Sequence, residues 1–164
     1  MPPAIAPDTS PIVTVQRHVL EQQALHPDAS GTFTRLLWDL TLAVKMISRE
    51  VNKAGLIEIL GLTGERNVHG EEVRRIDAYA NDRIVRAMER GGYLCGMASE
   101  ESADPIRLPV GAPRGRYLLL FDPLDGSANI DTNQSIGSIF SILGRRSAGP
   151  DATLDDFLQP GTEQ

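Results

Sequence analysis

The sequence predicts an α+β fold in which helices pack in layers on a mixed sheet. Two observations support this prediction. In the first half of the chain, apolar residues recur three and four positions apart, which is the helical period. After residue 92 the pattern changes to short apolar runs, and the run at 117–121 is continuous, as in a strand buried on both faces. Helices that precede strands in this way are typical of a layered α and β domain.

Three helices are predicted before the strands begin. The first starts with Pro11 in its first turn, carries a weak apolar stripe and stops at Pro27. The second runs from Phe33 to Val51 and has the strongest apolar face. The third spans roughly Val73 to Arg90 and ends at a pair of glycines. The segment 57–70 between the second and third helices is rich in glycine and is interpreted as turns and a loop.

The strands follow in the second half of the chain. They are predicted at Tyr93–Ala98, Tyr117–Phe121 and Ile136–Leu143. The last of these is expected to be the edge of an incomplete sheet, whose unpaired backbone groups would favour association. A short helical turn at Leu154–Leu158 lies in the polar tail.

Composition narrows the class of protein. The net charge of −6 disfavours a nucleic-acid partner, which requires a cationic surface. Cys95 is the only cysteine, so no disulfide can form within the chain, and a reducing, cytoplasmic setting is expected. No apolar run approaches the roughly 20 residues that span a bilayer. Residues 1–10 are interpreted as a flexible arm that lacks the pattern of a signal peptide, and 11–164 as one domain.

Carboxylates follow two of the predicted strands. Glu100 and Glu101 come just after the first strand, and Asp122 and Asp125 just after the second. Groups past the carboxyl ends of neighbouring strands converge on one crevice. The three carboxylates of Glu100, Asp122 and Asp125 would repel each other at close range, and a divalent cation relieves that conflict. Because every donor is an oxygen, including the Leu124 carbonyl, the pattern favours Mg²⁺ or Mn²⁺ over zinc.

A candidate anion site adjoins these acids. The segment Gly126–Asn129 offers backbone N–H groups, a hydroxyl and an amide, which suit a phosphate. A metal cluster beside a phosphate is the arrangement used in phosphoester hydrolysis, with Glu101 or Asp77 available to take a proton from water. Each motif alone has a plainer interpretation as a solvated turn or loop, and the residues by themselves leave both interpretations open.

Several segments together resemble class I fructose-1,6-bisphosphatases. Residues 121–131 match the family signature almost throughout, although Ala128 stands where the family usually has Ser. Ser99–Glu101 and Gly70–Asp77 match the family's upstream acidic segments, and Thr41–Ser48 resembles part of its second helix. The resemblance covers most of 13–161 and implies the N-terminal half of the sugar-phosphatase fold, which inositol monophosphatases share.

The resemblance implies magnesium-dependent hydrolysis of the 1-phosphate of fructose 1,6-bisphosphate, giving fructose 6-phosphate in gluconeogenesis. It assigns three kinds of role to residues of this chain: metal ligands, groups that activate water, and groups that hold the 1-phosphate. The implied metal ligands are Glu100, Asp122, the Leu124 carbonyl and Asp125; the catalytic residues are Glu101, Asp77 and Glu71, the last in place of an Asp on a mobile loop; and the substrate-binding residues are Asp125, Gly126, Ser127 and Ala128.

The family is also inhibited by AMP between its first two helices. Gly31 and Thr34 match phosphate-binding positions of that site, and Arg116 and Tyr117 match a Lys-Tyr pair. Arg in place of Lys keeps the charge but changes the geometry. The family's arginine after the third strand is displaced here to Arg145.

Members of this family have much longer chains, whose second half supplies another metal-binding Glu and the sugar site. The sequence therefore predicts a truncated part that has little activity alone, from an enzyme that forms homo-oligomers (tetramers) at full length. Two alternatives stay open: a sugar phosphatase of the inositol-monophosphatase kind, and a non-catalytic regulatory domain that binds AMP.

Overall fold

The computed structural model describes residues 12–27, 29–52, 62–66, 72–127 and 135–163, with the backbone alone for 62–66, 72–75 and 163. Helices and strands alternate in blocks along this part of the chain. The helices are α1 (Val15–Gln23), α2 (Thr32–Val51), α3 (Arg75–Met88) and α4 (Leu154–Phe157), and the strands are β1 (Leu62–Arg66), β2 (Glu72–Arg74), β3 (Leu94–Ser99), β4 (Tyr117–Asp125) and β5 (Gly137–Gly144).

A mixed three-stranded sheet forms the centre of the domain, as predicted. Its order is β3-β4-β5, with β3 parallel to β4 and β4 antiparallel to β5. The continuous apolar run explains the central position of β4, because Leu118 and Leu119 face opposite sides of the sheet and both are fully buried. β4 continues through Asp125, so Asp122 and Asp125 lie within its last residues, and the prediction that the strand ends at Phe121 is wrong.

Helices α2 and α3 cover one face of this sheet. The side chains they bury recur at helical spacing, as the sequence predicted, and they pack on Leu119 and Phe121 of β4. The other face is covered more thinly, by Ala152 and Phe157 against Cys95. Cys95 is a buried residue of β3. No helix in the described residues is long and apolar enough to cross a membrane. The buried helix residues are Leu36, Leu40, Ala43, Ile47, Ile76, Ala80, Ile84 and Met88.

The first helix starts later than predicted. Residues 12–14 are not helical, and α1 begins at Val15, because the hydroxyl of Thr14 accepts a hydrogen bond from the Arg17 backbone N–H at 3.1 Å. No residue of α1 is buried, and Leu25 after it is 69% exposed. The apolar stripe of this segment therefore does not belong to the core.

A two-stranded hairpin replaces part of the predicted loop and of the third helix. β1 pairs antiparallel with β2, with Leu62 opposite Arg74 and Arg66 opposite Glu72. Val73 consequently belongs to a strand, and α3 starts at Arg75. The segment lacks an alternating apolar pattern, so the pairing of β1 with β2 decides its extended form.

Candidate metal and phosphate site

The turn after β3 is held against the end of β4. Ser99 lies opposite Phe121 in the parallel register, and the Glu100 backbone N–H donates to the Phe121 carbonyl at 3.0 Å. This pairing brings the Glu100–Glu101 turn beside Asp122. Of the acids that were expected to converge here, the register of β3 and β4 thus brings Glu100 to the end of β4 that carries Asp122.

The electrostatics of the acids show how closely they face one another. Burial, and after it the negative charges of Asp77, Glu100 and Asp122, together raise the pKa of Glu101 to about 7. Glu100 also shares a side-chain hydrogen bond with Glu101. Burial likewise raises the pKa of Asp122, with Glu100 and Asp125 adding to the effect, although the Leu124 backbone N–H donates to Asp122 Oδ1 at 3.0 Å and opposes it.

Helix α3 contributes Asp77 from its first turn. Its side chain is only 5% exposed, and its charge acts on Glu101. The two residues predicted to activate water are therefore neighbours. The third, Glu71, lies outside the described residues, as does Ala128 of the phosphate segment.

The phosphate segment follows directly from β4. Gly126 has φ of +78°, a backbone conformation that favours glycine and turns the chain away from the sheet toward Ser127. The strand before it is fixed because Leu124 packs in the core and the Ser138 hydroxyl donates to the Pro123 carbonyl at 2.7 Å. Asp125 itself is exposed at the end of the strand.

The donor set fits a hard divalent cation in its chemistry. Every candidate ligand is an oxygen, and burial together with the charges of neighbouring acids raises the pKa of Glu101 and of Asp122, a conflict that a cation would relieve. In the described part of the chain, however, no three acidic, histidine or cysteine side chains close around one point that could hold a metal ion. The ligand assignments therefore remain proposals.

Two polar residues at this site were not given a role from the sequence. The Ser99 hydroxyl donates to Asn81 Oδ1 at 2.7 Å, which ties β3 to α3. Asn81 lies four residues after Asp77, so both share one face of the helix. That spacing could have drawn attention to Asn81, whereas its contact with Ser99 could not be read from the sequence.

A separate pocket lies between α1, α2 and the start of β4. Its volume is about 350 Å³, and its walls include Gly31, Thr34, Arg116 and Tyr117, the four residues matched to an AMP site. No acidic side chain lines it among the described residues. The Arg116 guanidinium lies 4.9 Å from the centre of the Tyr117 ring, and the Thr34 hydroxyl donates to Gln23 Oε1 at 2.6 Å.

Arg145 belongs to the opposite face of the sheet. It does not line the pocket, and its charge instead acts on Cys95, whose pKa is raised by burial and partly lowered again by Arg145. Cys95 packs with Leu118 and Leu143 on the face away from α2. A one-residue displacement along a strand reverses the face of the side chain, which explains this placement.

The fold matches solved structures of sugar bisphosphatases. A crystal structure of Leishmania major fructose-1,6-bisphosphatase in holo form superposes with a TM-score of 0.76 at 29% identity, over 88% of this chain and 43% of that one. The site described above thus lies in a fold that this class of protein uses.

Sequence comparison identifies the family. The profile "Fructose-1-6-bisphosphatase, N-terminal domain" matches residues 13–164, and the chain belongs to that family. The class 1 fructose-1,6-bisphosphatase of Oleidesulfovibrio alaskensis is 56% identical over 155 residues, which are 93% of this chain and 46% of the relative. That of Chlorobium chlorochromatii is 49% identical over 156 residues, 94% of this chain and 46% of the relative. The chain spans about half the length of these relatives.

Proposed function

We propose that this chain supplies the metal and 1-phosphate side of a cytoplasmic class 1 fructose-1,6-bisphosphatase of gluconeogenesis. The reaction is hydrolysis of the 1-phosphate of fructose 1,6-bisphosphate to fructose 6-phosphate, with Mg²⁺ or Mn²⁺ as cofactor. One observation carries the proposal. The β3–β4 register brings Glu100 and Glu101 against Asp122, while α3 brings Asp77 to the same place. The names of the relatives supply the substrate.

Each group has a role that follows from its chemistry. Glu100, Asp122, Asp125 and the Leu124 carbonyl are the groups that would hold the cation. When bound, the cation polarises the phosphoryl oxygen and lowers the pKa of water. Glu101, with its pKa raised to about 7, is suited to accept a proton from water near neutral pH.

Two further roles complete the proposed site. Asp77, held on α3, acts on Glu101 through its charge. The turn at Gly126 and Ser127 donates hydrogen bonds to the 1-phosphate. These groups bind and orient the reacting phosphate but do not contact the sugar.

The chain alone is expected to hydrolyse little substrate. It spans about half of its relatives, and the resemblance to the family implies that the groups holding the sugar and the second phosphate lie in the half that it does not span. Without them, binding energy cannot orient the scissile phosphate. At full length we expect a homo-oligomer.

Mg²⁺ titration by calorimetry tests the metal site directly. Asp122→Asn should weaken Mg²⁺ binding by at least about tenfold, because it removes a charged ligand. Asp155→Asn, an exposed acid on α4, is the matched control and should leave binding unchanged. Failure of the original chain to bind Mg²⁺, or equal affinity of the two variants, would count against the proposal. Phosphate release from fructose 1,6-bisphosphate is measured alongside and is expected to be low.

A second function, AMP binding, is favoured by the pocket between α1 and α2. Its walls combine a guanidinium, an aromatic ring and hydroxyl groups without an acidic side chain among the described residues, which suits a nucleoside monophosphate. Arg116→Ala should weaken AMP binding by about tenfold. Arg107→Ala, in a loop outside this pocket, serves as the control. Calorimetry that detects no AMP binding to the original chain would remove this function.

A further inference from the structure

A buried hydrogen-bonded chain joins α3 to the acidic turn after β3. The Ser99 side chain is 7% exposed, and its hydroxyl donates to Asn81 Oδ1 at 2.7 Å. The same oxygen accepts a hydrogen bond from the Glu101 backbone N–H at 3.2 Å. One hydroxyl thus connects the helix to the backbone of the residue that carries a catalytic carboxylate.

Helix α3 therefore meets the acidic turn in two ways. Asn81 holds the turn through Ser99, and Asp77, one helical turn earlier on the same face, acts on Glu101 by charge. The second interaction is repulsive, because both groups are acids. The hydrogen bonds through Ser99 are the contacts that fix the distance between the turn and the helix.

We propose that Asn81 and Ser99 are positioning residues that hold the Glu100–Glu101 turn against α3 through the hydroxyl of Ser99. The inference rests on the proposed function, since the benefit of the arrangement is a preorganised cluster of oxygen ligands. Neither residue touches the substrate in this proposal. Their effect is to fix where the carboxylates lie before a cation arrives.

The residue types match the task. A hydroxyl can donate to one group and accept from another at the same time, as Ser99 does between Asn81 and the Glu101 N–H. The amide of Asn81 provides an acceptor without charge. A carboxylate at that position would add another negative charge beside Asp77, so Asn keeps the hydrogen bond without increasing the repulsion.

Two measurements on the complete 164-residue chain test the proposal. Ser99→Ala and Asn81→Ala should each weaken Mn²⁺ binding, followed by electron paramagnetic resonance, by about 10- to 100-fold. Amide hydrogen exchange at Glu101 should become about fivefold faster. The Met97 amide, which donates to the Ile106 carbonyl, is the internal reference and should be unchanged.

Matched variants separate positioning from general loss of a hydroxyl. Ser99→Thr keeps the hydroxyl and should restore most of the Mn²⁺ affinity and the slow exchange. Thr41→Ala removes a hydroxyl that bonds only to the Leu37 carbonyl within α2, and should change neither readout. Ser99→Cys is the alternative if the alanine variants fail to fold, because the thiol is similar in size but a weaker donor. It should show the same two changes, each smaller in magnitude.

The outcomes are distinguishable. Unchanged Glu101 exchange in Ser99→Ala, or unchanged Mn²⁺ affinity in both alanine variants of a chain that binds the ion, overturns the positioning role. If the original chain binds no Mn²⁺, the proposed metal function fails, while the exchange comparison still decides the positioning. Faster exchange that Ser99→Thr reverses would then support it.

Discussion

Two regions of this molecule shift the pKa of a carboxylate in opposite directions. Asp156, in α4, is 2% exposed, yet its pKa is held far below the usual range because the hydrogen bonds it receives outweigh the effect of burial. Glu101, after β3, is partly buried and faces other acids, so its pKa rises to about 7. The donors to Asp156 are the backbone N–H groups of Arg146, Ser147 and Thr153 and the hydroxyls of Ser147 and Thr153.

The contrast separates a structural acid from the acid that is proposed to activate water. A buried carboxylate surrounded by donors ties β5 to α4 and stabilises the fold as an anion. A carboxylate surrounded by other carboxylates destabilises the fold when it ionises, and it is retained at a site where a cation offsets the repulsion. The carboxylate is at least partly buried in both regions, and the groups beside it decide whether its pKa is lowered or raised.

The largest effect is expected from removing the structural acid. Asp156→Ala should lower the free energy of unfolding by about 3 kcal/mol, since it leaves five donors without their acceptor. Urea unfolding measures this loss. Asp155→Ala, on the exposed side of the same short helix, should change stability by less than about 0.5 kcal/mol. Equal effects of the two substitutions would remove the distinction drawn between the regions.

Mg²⁺ should stabilise the chain by binding the acids after β3 and at the end of β4. At 100 times the dissociation constant, binding to the folded state alone raises the free energy of unfolding by about 2.7 kcal/mol. Thermal unfolding at pH 8 should show this increase in the original chain and a much smaller one in Glu100→Gln. Asp155→Asn should keep the full response. An equal response in Glu100→Gln would mean that the ion stabilises the chain from elsewhere.

The pH dependence of Glu101 provides a smaller effect of defined sign. Its folded pKa of about 7 lies above the ordinary value for Glu, so between about pH 4.5 and 7 the folded state binds more protons than the unfolded state. Stability in metal-free buffer should therefore fall as pH rises through this window, by about 1 kcal/mol after allowance for solvent screening. Glu101→Gln should remove the fall. Unfolding curves with the same slope in both proteins would contradict this.

Asp156 should contribute a slope of the opposite sign at acid pH. Its folded pKa is depressed, so its stabilisation is fully present above the unfolded value of about 3.9 and is lost as pH falls toward the folded pKa. Stability should therefore fall as the pH drops from 4 to 2, because the unfolded state takes up a proton that the folded state does not. Asp156→Asn should flatten the acid limb in urea unfolding; an unchanged limb would assign it to other carboxylates.

The sequence predicted the parts of the molecule that depend on local pattern. The apolar period of α2 and the continuous run of β4 decide where these elements lie, because burying those side chains dominates their placement. The acids at the ends of β3 and β4 could also be recognised from the sequence. Residues in a strand and in the turn after it are neighbours in the chain, so their grouping needs no long-range information.

Contacts between separate segments of the chain could not be predicted from the sequence. The β1–β2 hairpin forms between segments that lack an alternating apolar pattern, so their extended form depends on each other. The Ser99–Asn81 hydrogen bond joins the end of β3 to a residue of α3 that lies 18 positions earlier in the chain. The charge of Arg145, the residue after β5, likewise acts on Cys95, and its position in the chain alone does not fix this placement.

The sequence by itself determined that acids and a glycine turn lie where two buried strands end. These features depend only on side-chain types and apolar runs of residues that are close together in the chain. Only the tertiary structure decided what surrounds each acid. Asp77 from α3 reaches Glu101 and raises its pKa, while Asp156 meets five donors and stays ionised. The physical reason is that a carboxylate's charge state depends on neighbours brought by packing.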